Sequence, residues 1–85
     1  VKSQRAWRPS NEQHLVLAAM TRPMDAAEIA ETIDYAIKVG TVDNHLETLA
    51  RRGFVRDSGE RTTWTKRGRR WRYELTPTGK DAAAL

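Results

Sequence analysis

The sequence predicts an α+β fold: a three-helix body whose second and third helices form a helix-turn-helix, then a two-stranded hairpin and a short C-terminal helix. Three observations carry this. Asp25-Ala-Ala-Glu28 is a capping-box start, and Ile29, Ala30 and Ile33 follow it at helical spacing, which predicts a short helix with one apolar face. Val42, Leu46 and Leu49 recur at i, i+4 and i+7, the stripe of a second amphipathic helix, which should stop at Gly53 because glycine tolerates the left-handed conformation of a helix end. From Phe54 the period changes to alternation, with Trp71, Tyr73 and Leu75 on one face of a strand and Arg70, Arg72 and Glu74 on the other.

Residues 1–9 read as a loose basic arm and residues 10–85 as the folded domain. Trp7 is the arm's one large apolar side chain and is expected to fold back onto the body. Ser10 caps the first helix, with Gln13 closing a second capping box. Along that helix His14, Leu17, Ala18 and Thr21 form the inner face, widened by Val16 and Met20. Arg22-Pro23-Met24 breaks it, because proline lacks an N–H and disfavours helix in the residue before it; a short extended segment fits there. The second helix should run from about Ala26 to Ile33. A turn over residues 34–40 precedes the third, whose start lies within about three residues of Gly40.

If Val42, Leu46 and Leu49 face inward, the opposite face presents Lys38, Thr41, Asn44 and Thr48, flanked by Asp43, His45 and Glu47. In the hairpin, Phe54 and Val55 begin the first strand and Asp57-Ser58-Gly59 kinks it. Arg67-Gly68 fits a tight turn, which would set Lys66 opposite Arg69 and Trp64 opposite Trp71. Thr76-Pro77 reads as N-cap and first position of the last helix, which Gly79 weakens.

Eighty-five residues without cysteine make one small domain with no disulfide, no thiolate chemistry and no zinc-cysteine site. No apolar run approaches the roughly 18 residues that span a bilayer, and the N-terminus lacks a signal-peptide core, so a soluble cytoplasmic protein associated with the nucleoid is expected. His14 and His45 lie on different helices with no second ligand at metal spacing, and no cofactor or metal is expected. The formal net charge of +4 is unevenly distributed. Residues 1–10 carry +3, residues 11–50 carry −5, residues 51–72 carry +7 and the remainder −1. Positive charge concentrated in one ribbon and one arm is the footprint of a polyanion binder.

The element order is that of a winged helix. The chain resembles the winged helix-turn-helix regulators of the MarR, PadR and ArsR type in Glu28-Ile-Ala-Glu31, in Val42 followed by His45-Leu46 and Leu49, in Arg52-Gly53-Phe54-Val55 entering the wing, and in Tyr73-Glu-Leu-Thr-Pro-Thr-Gly79 leaving it. The resemblance covers about residues 10–82 and implies a third helix in the major groove and a wing on the backbone or minor groove. Position by position it implies base contacts from Lys38, Thr41 and Asn44, with Asp43 and Thr48 beside them, and wing contacts from Arg61, Lys66, Arg67, Arg69 and Arg70. Two departures stand out. The third helix is poor in arginine and carries two acids, so the wing should supply most of the affinity; and the long flanking helices through which MarR and PadR proteins dimerise are missing, so a monomer or weak homodimer is expected.

The function these features favour is double-stranded DNA binding, as a small transcriptional regulator or as the DNA-binding module of a larger assembly. Two alternatives stay open: a winged helix used for protein contacts through Asp43 and Glu47, and a single-strand binder that stacks bases on Trp7, Trp64 and Trp71. Catalysis is not expected, since the sequence has no histidine and carboxylate paired at helix spacing, no activated-serine pattern and no glycine-rich phosphate loop, and ligand sensing is not expected because so small a domain should leave no space for a pocket of about 300 Å³.

Overall fold

A computed structural model describes residues 7–61 and 71–84. Its elements are α1 (Asn11–Ala19), α2 (Ala26–Thr32), α3 (Val39–Arg51), β1 (Val55–Arg61), β2 (Trp71–Leu75) and α4 (Pro77–Ala83). The core is built from Val16, Leu17, Ala19 and Met20 of the first helix and its end, Met24, Ile29 and Ala30, Ile37 of the turn, Val42, Leu46 and Leu49 of α3, and Val55 of the hairpin.

Local signals set the helix starts. Ser10 Oγ accepts from the Gln13 amide while the Gln13 side chain takes the Ser10 amide, so two of the donors left over at the start of α1 are satisfied reciprocally. Asp25 and Glu28 repeat the arrangement at α2, at 2.8 and 3.0 Å. Asp25 is itself buried, which makes this cap part of the core's edge. Thr76 Oγ1 accepts from the Gly79 amide at 3.1 Å and starts α4, with Pro77 at the first position as expected.

Three details depart from expectation. The inner face of α1 contains Ala19 and not Ala18, which is exposed. The helix ends at Ala19, so Thr21 leaves the face altogether and is also exposed. The turn before α3 carries consecutive left-handed residues that are not glycine, Asp34 at φ 57° and Tyr35 at φ 58°. Such a conformation is costly for a side chain as large as tyrosine. Buried Ile37 anchors the turn to the core, and the Tyr35 amide donates to the Ala30 carbonyl at 2.8 Å. Gly79 does more than weaken α4: a Cβ there would overlap the Phe54 carbonyl, so the close approach of α4 to the hairpin's entry requires glycine.

The hairpin is antiparallel, with Val55 opposite Leu75, Arg56 opposite Glu74 and Asp57 opposite Tyr73. The expected kink is present. Asp57 accepts from the Gly59 amide at 2.8 Å, Gly59 adopts φ 84°, and the register shifts between Asp57 and Arg61. Beyond the kink Trp71 pairs with Arg61, not with Trp64: the root register alone would set it opposite Gly59, and the bulge advances its partner by two positions. The Arg67-Gly68 turn and the Lys66–Arg69 pairing lie outside the described residues. Met24 forms an isolated bridge to Tyr73, each amide donating to the other's carbonyl at 2.9 Å, so the extended segment before α2 pairs with β2.

Candidate nucleic-acid interface

α3 is the one described helix with a long exposed polar face. Opposite buried Val42, Leu46 and Leu49 run Gly40, Asn44, Glu47 and Arg51, all exposed, with exposed Asp43 on one flank and half-buried Thr41 and Thr48 on the other. Lys38 is exposed at the N-cap and makes no side-chain cap bond, so the first-turn amides of α3 receive no help from it. Of the side chains expected at base edges, Asn44, Asp43 and Lys38 stand out in solvent. Thr41 and Thr48 sit lower on the helix flank. Arg51 was not among the expected contacts, although the 40, 44, 47, 51 spacing complementary to the apolar stripe marks it. His45 belongs to the packing of α3 on α1, since its Nε2 lies 3.0 Å from a Glu12 carboxylate oxygen.

The flank of α3 turned toward the hairpin is acidic. Burial raises the Tyr73 phenol above its ordinary pKa, and the charges of Asp43, Asp57 and Glu47 push it further, so all three carboxylates are near enough to act on it. Phosphates are disfavoured at this corner. An exposed carboxylate there can accept from the exocyclic amine of cytosine.

On the hairpin, Trp71 was expected to pack on the helices with Tyr73 and Leu75. Tyr73 and Leu75 do pack against the core, but Trp71 is 44% exposed, because at its end of β2 the hairpin has run past the helical body. The Arg61 guanidinium lies over its ring at 3.9 Å from the centroid, a cation–π stack that restrains both side chains at the hairpin's outer end. Lys66, Arg67, Arg69 and Arg70 lie outside the described residues.

Several other basic side chains are committed to the fold. Arg72, placed by its alternation on the free face of β2, turns onto α2 and grips the Glu28 carboxylate with Nε and an Nη at 2.9 and 3.0 Å. Arg56 pairs with Glu74 at 2.6 Å. Arg52 sits 5.0 Å from the centroid of Trp7, and that ring meets Phe54 edge-on at 5.5 Å, so Trp7 folds back as expected. Nothing in the local sequence flags Arg72, because its partner is 44 positions away.

No protein-family model and no curated protein matches the sequence. Among solved structures, the chain is similar to a PadR family transcription regulator from hypervirulent Clostridium difficile R20291, at 21% identity, with a TM-score of 0.69 over 88% of this chain and 81% of that one. The fold is a winged helix. The wing is built on β1 and β2, the helix-turn-helix is α2 and α3, and the Met24 bridge pairs the segment before α2 with the wing's base. Among the described residues no helix is long and apolar enough to cross a membrane.

Proposed function

We propose that this winged helix binds double-stranded DNA and serves as a transcriptional regulator or as the DNA-binding module of one, with α3 in the major groove and the wing along the backbone or in the minor groove. The observation that carries the reading is the exposed face of α3. It is a polar stripe on a helix of 13 residues, uncapped at its N-terminus and set beside a hairpin whose connecting segment is rich in lysine and arginine. The solved PadR regulator of the same fold supports it.

The division of labour follows from chemistry. Asn44 offers a donor and an acceptor side by side, the pattern that matches adenine, while Lys38 suits guanine and Asp43 suits cytosine. Thr41 and Thr48 supply shorter hydroxyl contacts. Arg61, Lys66, Arg67, Arg69 and Arg70 neutralise phosphates and release counterions, a term that is blind to sequence. Because the face of α3 also carries Asp43 and Glu47, the wing supplies most of the affinity and the helix most of the discrimination. The protein acts as a monomer or weak homodimer, without cofactor and without catalysis.

The test is a fluorescence-anisotropy titration against duplexes recovered by in vitro selection, repeated over a range of salt. Replacing Arg67, Arg69 and Arg70 by glutamine should weaken binding to every duplex and reduce the salt slope by about one per lost contact. Asn44→Ala should leave that slope alone and cost roughly 1 to 3 kcal/mol of preference for the selected site over a scrambled one. An unchanged slope in the triple variant, or stronger binding to single strands than to duplex, would sink the proposal.

A further inference from the structure

Besides the packing of Val55, Tyr73 and Leu75 on the core, polar contacts tie the wing to the body at two places. One is its covalent root at Gly53, just past the end of α3: the Thr76 hydroxyl donates to the Gly53 carbonyl at 2.6 Å, and the Thr76 amide to the Phe54 carbonyl at 3.1 Å. A hairpin held there alone could swing about its root. The second attachment is on the α2 side. Met24 and Tyr73 exchange two backbone hydrogen bonds, and one residue further out Arg72 closes a two-pronged bond on Glu28.

Glu28 is built to receive it. One carboxylate oxygen already takes the Asp25 amide in the capping box, so the side chain is held at the first turn of α2 before Arg72 arrives. Arg22 approaches the other oxygen at 3.5 Å, and Glu60 on β1 approaches the Arg72 guanidinium at 3.5 Å. The pair is about three-quarters shielded on both sides, with side-chain exposures of 27% and 24%, so solvent screens it less than a surface ion pair. Ser58, in the bulge, donates to the Arg72 carbonyl at 2.9 Å and locks the backbone that carries the guanidinium.

We infer that the Arg72–Glu28 clasp is a positioning device that holds the wing at one angle to α3, so that both reach the same duplex at once. The inference rests on the duplex-binding reading above. Two contact surfaces joined rigidly in the right geometry bind with the second at high effective concentration, and that advantage is lost when the joint lets them drift apart. Neither residue touches the nucleic acid.

Two substitutions in the full chain test it with opposed electrostatics. Glu28→Gln keeps an amide oxygen for the Asp25 cap but removes a negative charge, which by charge alone would tighten binding to DNA. Arg72→Lys keeps the charge and loses the planar fork. The clasp predicts that both variants stay folded, with melting temperatures only slightly below the parent's, and that each binds the selected duplex at least about tenfold more weakly. Since the chain has no cysteine, Glu31→Cys and Arg61→Cys place a spin-label pair across the joint, and without DNA its distance distribution should broaden in both variants.

Folded variants that bind as tightly as the parent overturn the proposal, whatever the distances do. Distances that stay sharp overturn it as well. A parent that binds no duplex, with distances that still broaden in the variants, sinks the duplex reading and not the mechanical joint.

Discussion

The two helices of the helix-turn-helix are finished in opposite ways. α2 has seven residues, a reciprocal capping box, a buried cap residue in Asp25 and the hairpin's Arg72 clamped on its first turn. α3 has thirteen residues, a cap position occupied by Lys38 with no cap bond, and an exposed stripe of Gly40, Asn44, Glu47 and Arg51. A short helix cannot hold itself by its own hydrogen bonds, so its stability must come from its ends and partners. A longer helix with three buried side chains can leave one end and one face unused. The difference separates the element that positions from the element that is presented.

The comparison can be broken most severely from inside. Leu46→Ala, at a fully buried position, should cost about 2 to 5 kcal/mol, read as a lowered urea midpoint, because it empties the side on which α3 is held. Glu47→Ala, one position on and exposed, should barely move that midpoint. Next in size, Asp25→Ala should cost roughly 0.5 to 2 kcal/mol, since it strips α2 of its cap. An Asp25→Ala variant as stable as the parent would mean that α2 does not depend on its end.

Lys38→Ser runs the other way. It gives α3 the cap it lacks and should raise stability by about 0.5 to 1 kcal/mol while weakening binding to duplex DNA. Equal stability would show that the open first turn costs the fold nothing.

The smallest effect expected is one of pH. The hydrogen bond from Arg72 holds the Glu28 carboxyl below its ordinary pKa against the opposing effect of burial, with the Asp25 amide and the charges of Arg72 and Arg22 adding to it. A depressed folded-state pKa contributes stability in full above the unfolded value, about 4.3, and loses it as pH falls through the lower folded value. The stability gap between the parent and Glu28→Gln should therefore be widest near neutrality and close toward pH 3. A gap that stays constant would show that the carboxylate's charge is not what holds the hairpin.

Much of this architecture was legible because it is written at short range. Ser10 with Gln13, Asp25 with Glu28 and Thr76 with Pro77 each declare a helix start within three positions, and each is found where it was expected. The apolar stripe of α3 and the kink at Asp57-Ser58-Gly59 are equally local. Trp71 escaped the reading because alternation reports which face a strand residue takes and not whether the body still lies beneath it. Arg72 escaped for the opposite reason. It sits on the face that alternation assigns to solvent, yet α2 comes alongside and supplies a carboxylate.

The candidate site divides in the same way. Helical periodicity alone makes Asn44 an outward side chain on α3. The acidic corner formed by Asp43, Glu47 and Asp57 near Tyr73 needs three segments, α3, β1 and β2, brought together, and no spacing rule encodes that. From its residues alone the chain determines where the capped helices α1, α2 and α4 begin, which faces are apolar and where cationic charge accumulates, because those follow from neighbours a few positions apart. Tertiary packing alone decided that Glu28 and not solvent receives Arg72, that α4 lies too close to Phe54 for any residue but Gly79, and that Arg61 comes to rest on Trp71. Those choices depend on distances between segments far apart in the chain, and they exist only once the core has closed.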